Sequence, residues 1–206
     1  LFFASKKCFS NYDMKNLFVI FFLICVQGLM GWIMVSSGLV GEGDVSPYKL
    51  AIHFSLAIFI IGYIYWMKLR IQFKKEANNL NKMNSLIRLI FILFLLQIIL
   101  GSISAGYTIG NTFIANPIVM LMNRIFTELP YFILFLHILL GTIFTLAVLF
   151  LAKKTMFNDA SPYSNALSYI VIFQYFLGFM NILLETPLVI ALLHQFLVAI
   201  ILFLIL

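Results

Sequence analysis

The sequence predicts an all-α integral membrane helical bundle with six transmembrane helices, and three observations predict it. Of the 206 residues, 64% are hydrophobic and only 10% are charged, against about 25% charged in soluble domains. The apolar residues gather into six segments, each near the ~20 residues that cross a bilayer as a helix. The hydrophobicity within each segment is continuous, whereas membrane barrel strands alternate apolar and polar residues over ~10 positions.

The segments cover about 17–35, 50–67, 86–106, 130–152, 166–184 and 187–206, with charge only near their ends, at Lys49, Lys68 and Arg88. Their orientation follows from the basic residues. Lys6, Lys7 and Lys15 precede the first segment, Lys68, Arg70, Lys74, Lys75, Lys82 and Arg88 join the second to the third, and Lys153 and Lys154 join the fourth to the fifth. The opposite side has Lys49 and Arg124, with Glu42, Asp44, Glu128 and Glu185. The positive-inside rule places the basic side, and both ends of the chain, in the cytoplasm. The net charge of +6 therefore calls for no nucleic acid; anionic lipid headgroups suffice as partner. Trp32 and Tyr48 fall near the outer interface, where aromatic belts form.

An outward hairpin recurs three times. "QGLMG" (Gln27, Gly31), "QIILG" (Gln97, Gly101) and "QYFLG" (Gln174, Gly178) each lie on an outward-running segment. Each is followed by a loop, then a proline (Pro47, Pro130, Pro187), then a histidine six or seven residues on: His53, His137 and His194. Such repeats are common in membrane folds. At 1.5 Å per residue the histidines lie ~10 Å below the outer ends of their helices, in one layer. A single histidine in an apolar helix is usually a packed, hydrogen-bonded group. Three in one layer, with none elsewhere in the chain, point to function instead.

Haem iron takes axial histidines from facing helices. Zinc would use thiolate or carboxylate co-ligands, and a proton relay would use intramembrane carboxylates; neither is present at that depth. Gly141 and Ala57, four residues after His137 and His53, lie on the histidine faces and offer a flat macrocycle room against the backbone, or serve helix packing. Gln27, Gln97 and Gln174 are expected to bond between helices, or else to a ligand. Cys8 and Cys25 read as a loop thiol and a packed thiol, not as a disulfide framework.

Three histidines are one short of two bis-histidine sites. The opening "LFFASKK" reads as the last turn of a helix, so a further hairpin, carrying a fourth histidine, is expected upstream. The complete protein would then have eight helices in two pseudo-symmetric four-helix halves. Residues 1–76 would be the remainder of the first half, with two helices, and residues 77–206 the C-terminal four-helix half.

The stretch "VQGLMGWIMVSSGLVGEGDVSPYKLAIHFSLA" (26–57) closely resembles the haem A synthase family, whose fourth-helix region reads Q-G-x-x-G-W-x-M-V-x-S-G-L followed by V-S-x-Y-[KR]-L-A-x-H. "LQIILGSISAG" (96–106) resembles its fifth helix, and "ETPLVIALLHQFLVAI" (185–200) its last hairpin. The resemblance covers essentially the whole chain. It implies oxidation of the C8 methyl of haem O, the substrate, to the formyl group of haem A, with a haem b cofactor that passes electrons on. By position, His53 matches the histidine at the substrate, the catalytic site, and His137 and His194 match the iron ligands of haem b. It also implies a bacterial inner membrane location, or a mitochondrial one. Haem O synthase, terminal-oxidase assembly factors or a second copy of the chain are the partners compatible with it; the electron acceptor stays open. Lys49 would pair with a propionate or extend to the interface. Two departures stand out: Ile138 occupies the place of an arginine, and "NTF" (111–113) is what the chain keeps of a longer outer-loop motif. The same ligands would also serve a bis-histidine b-type cytochrome carrying electrons between quinone and a partner.

Overall fold

The structure is a computed structural model, and it describes residues 11–38, 46–72, 85–110, 117–156 and 162–205. Lys6, Lys7, Cys8, Glu42, Asp44, Lys74, Lys75, Lys82, the "NTF" stretch and the 76/77 division lie outside those residues. The described elements are all helical: α1 (Asn11–Gly38), α2 (Pro47–Gln72), α3 (Ser85–Gly110), α4 (Pro117–Arg124), α5 (Leu129–Met156), α6 (Pro162–Leu183) and α7 (Leu188–Ile205). Six of them contain stretches long and apolar enough to cross a membrane: Tyr12–Ser36, Pro47–Gln72, Leu86–Tyr107, Leu129–Lys153, Ser164–Leu183 and Leu188–Ile205. The chain is thus an all-α membrane bundle, as the composition predicts. In lipid the helix is the open-chain form that satisfies its own backbone groups.

The prolines mark the starts. Pro47, Pro117 and Pro162 open α2, α4 and α6, Pro130 is the second residue of α5, and Pro187 immediately precedes α7. In the first turn the missing N–H forfeits no helix bond. The reversal from α6 to α7 is tight. Glu185 and Thr186 adopt left-handed backbone angles, φ 57° and 56°, which cost L-residues roughly 1–2 kcal/mol each. The Thr186 amide closes the turn by donating to the Asn181 carbonyl at 2.7 Å.

Consecutive spanning helices pack side by side: α1 on α2, α2 on α3, α3 on α5, α5 on α6 and α6 on α7. Helix α7 then returns to touch α2 and α3, so α2, α3, α5, α6 and α7 share one closed bundle. The core joins Ile58 of α2, Ile90, Leu93, Phe94 and Ile98 of α3, Phe144 and Val148 of α5, Leu167 and Val171 of α6, and Ile201 and Leu202 of α7. Phe94 and Phe144 meet with ring centroids 5.9 Å apart. Lipid tails are as apolar as these side chains, so close packing and interhelical hydrogen bonds hold the helices together.

Helix α1 is the least buried of the six spans. Phe18, Phe21, Phe22 and Trp32 are each about two-thirds exposed. Cys25 is exposed too, which corrects the expectation of a packed thiol: the apolar run around it faces outward. What fixes α1 is polar. Buried Asn16 accepts a hydrogen bond from the Tyr63 hydroxyl of α2 at 2.7 Å, and the Arg70 guanidinium lies 3.8 Å over the Tyr12 ring.

Candidate haem-binding site

All three predicted histidines sit in the same local structure. In each hairpin the glutamine side chain reaches across to the facing helix and donates to the backbone carbonyl of the histidine: Gln27 to His53 at 3.1 Å, Gln97 to His137 at 2.8 Å, and Gln174 to His194 at 2.9 Å. These are the interhelical bonds the sequence leads one to expect. A helical carbonyl has a second lone pair available, so the bond adds to the helix without breaking it.

The glycine four residues after each glutamine makes room for the ring. A Cβ on Gly31 would stand 3.0 Å from His53 Cε1, one on Gly101 2.7 Å from His137 Cε1, and one on Gly178 3.0 Å from His194 Cε1. Each imidazole thus lies directly on the backbone of the opposite helix. Residue i+4 on a helix covers the carbonyl of residue i, so the glycine also uncovers the glutamine's own carbonyl. In the last hairpin that carbonyl is used. His194 Nδ1 donates to Gln174 O at 3.1 Å, and because a carbonyl only accepts, the neutral ring carries its proton on Nδ1 and offers the Nε2 lone pair.

The site is under-satisfied as protein alone. His53 Nδ1, His137 Nδ1, and the side-chain oxygens Gln27 Oε1, Gln97 Oε1 and Gln174 Oε1 are buried without hydrogen-bond partners. Buried polar groups are normally paired. A layer of unpaired ones, on side chains cleared by glycine, suits a ligand that brings its own bonding capacity. Among the described residues no three His, Cys, Asp or Glu converge to hold a metal ion. The donor set is therefore one imidazole per hairpin, which fits axial ligation of a macrocycle and not a closed zinc site.

Gly141 serves helix packing, the second of the two roles its spacing suggests. A Cβ there would meet Gln97 Nε2 at 2.6 Å. The space clears the glutamine amide, not the face of a porphyrin. A surface recess of about 350 Å³ at the α4–α5 turn, lined by Ile125, Phe126, Thr127, Glu128, Leu129 and Phe132, includes none of the histidines. Its one acid, Glu128, is paired with Arg124 at 3.0 Å. Helix α4 itself is missed by hydropathy, because a two-turn helix leaves no span-length signal.

Residues 1–206 match the family COX15-CtaA, described as cytochrome oxidase assembly protein. The chain belongs to this family. Among individual COX15-CtaA relatives, a heme A synthase of Pelagibacter ubique is 33% identical over 95% of this chain and 60% of its own length. One from Flavobacterium psychrophilum is 26% identical, and one from Rickettsia conorii 28%; each match covers 95% of this chain and 63% of the relative. The chain thus spans rather less than two thirds of the relatives it matches. No solved structure matches it.

Proposed function

We propose that this chain is the haem b half, and part of the substrate half, of an enzyme that oxidises the C8 methyl of haem O to the formyl of haem A. The observation that carries the reading is the threefold clasp, in which a histidine is laid on a glycine-cleared helix and pinned through its carbonyl by a glutamine. Membership of the COX15-CtaA family and the relatives named heme A synthase support it.

In this proposal His137 and His194 would hold haem b through their imidazole nitrogens, and residues 77–206 would form its four-helix half. His53 stands on the α1–α2 hairpin, within the part of residues 1–76 assigned to haem O, as the ligand at the catalytic site. Bound haem supplies the redox chemistry. The protein supplies the rest. The Gln174 carbonyl holds the His194 proton at Nδ1 and so aims Nε2 at the site, a bond that also strengthens a histidine as a ligand. Helix packing below the histidines, with Phe144 and Ile201 about two turns deeper and buried, closes the site toward the bundle core. The proposed setting is the bacterial inner membrane with both chain ends cytoplasmic, and haem O synthase or oxidase assembly factors are the proposed partners.

Extraction of the haems from the full-length protein, expressed in cells that make haem O, tests this reading. Haem A in the extract, lost in His53→Ala, is the expected result. Haem B alone, with haem O unaltered, would leave an electron-carrying cytochrome as the better account.

A further inference from the structure

The three clasps are not equivalent, and the difference lies in which imidazole nitrogen the protein engages. We propose that Gln27 is a latch on His53: its amide occupies the nitrogen that would bind iron, so the α1–α2 site is one from which a haem exchanges, while the α6–α7 site holds its haem permanently. This inference rests on the haem reading above and divides the sites by their exchange behaviour.

The geometry is specific. Gln27 Nε2 lies 3.1 Å from His53 O and 3.3 Å from His53 Nε2. The carbonyl can only accept, so the group facing it is the NH₂ end of the amide. That end has two hydrogens, one for the carbonyl and one for the ring. A donor at Nε2 requires that nitrogen to be unprotonated, which puts the ring proton on Nδ1, buried and without a partner. The lone pair that would ligate iron is therefore already spent inside the protein.

In the last hairpin the same parts are arranged the other way. The Gln174 amide donates to His194 O, and the ring is fixed through Nδ1 to the Gln174 carbonyl. Nothing in that clasp uses Nε2. Coordination by His194 costs no internal bond, whereas coordination by His53 must first break the Gln27 bond. The two sites thus match two chemical demands. A cofactor must stay. A substrate that arrives as one haem must leave as another.

The test uses the full-length protein purified in detergent and loaded with haem B, which is then drawn off by an excess of apo-globin and followed at the Soret band. The wild type should lose haem in two phases, the fast one absent in His53→Ala and the slow one absent in His194→Ala. Gln27→Leu should slow the fast phase about fivefold, the worth of one ordinary hydrogen bond, and Gln27→Ala should shift it the same way without the added branch. Gln174→Leu should leave the fast phase alone and quicken the slow one. A residue that merely braces His53 would show the reverse, because its removal speeds loss. An unchanged or faster phase in both Gln27 variants would overturn the latch. Retention of both phases in His53→Ala and His194→Ala would instead sink the haem assignment itself.

Discussion

Gln174 and His194 hold each other from both ends: the glutamine amide donates to the histidine carbonyl at 2.9 Å, and the histidine Nδ1 donates back to the glutamine carbonyl at 3.1 Å. Gly178 lets the ring lie there, since a Cβ on it would stand 3.0 Å from His194 Cε1. Two bonds and one missing Cβ fix the position, the rotation and the tautomer of a ring inside an apolar helix pair.

The first prediction concerns the ligands. His137→Ala and His194→Ala should each abolish the bound haem b spectrum in purified full-length protein. Full haem content in both variants would remove these residues from the site.

The glycines should rank by how far the ring would have to move. Gly101→Ala brings a Cβ to 2.7 Å from His137, closer than the 3.0 Å at Gly178 and Gly31, and overpacking of this kind costs about 1–3 kcal/mol. Haem occupancy and Tm should fall most in Gly101→Ala. Gly28→Ala is the control. Nothing lies within 4 Å of its added Cβ, and alanine favours the helix by about 1 kcal/mol, so Tm should hold or rise. Equal losses at Gly28 and Gly101 would show that backbone, not contact, sets the effect.

Gln97→Leu removes the amide that donates to His137 O at 2.8 Å and that fills the space beside Gly141. Interhelical bonds in membranes are worth about 0.6 kcal/mol on average, so the loss should be modest in Tm. It should be clear in the haem spectrum, because the bond positions the ring of a proposed ligand. Gln97→Leu/Gly141→Ala should not restore that spectrum.

The Asn16–Tyr63 bond anchors α1 to α2 at the end away from the histidines. Tyr63→Phe leaves Asn16 Oδ1 without its donor, next to an Asn16 Nδ2 that is already buried and unpaired. A loss of about 1–2 kcal/mol is expected, within the range for buried polar groups deprived of a partner. A double-mutant cycle with Asn16→Leu should show coupling of about 0.5 kcal/mol or more; additive losses would mean that the contact contributes nothing.

The class of fold and the six spans were legible in the sequence, and so was the shared position of the three histidines six or seven residues past a proline. Continuous hydrophobicity and a charge-free interior admit little but helices in lipid, and the proline-to-histidine spacing sets depth through the fixed helical rise. It also pointed to Gln27, Gln97 and Gln174 as interhelical donors, since an amide in hydrocarbon needs a partner. Which partner was a tertiary matter. That each glutamine takes the carbonyl of the histidine itself, that Gly141 clears Gln97 instead of a porphyrin, and that Cys25 faces outward depend on the rotation of one helix against the next. Uniformly apolar helices have no polar face to announce that rotation; close packing sets it, through side-chain shape and the glycine gaps. The contrast between His53, engaged at Nε2, and His194, engaged at Nδ1, lies deeper still, because the same Gln-x-x-x-Gly and histidine are written in both hairpins and only the docking of the two helices chooses the nitrogen.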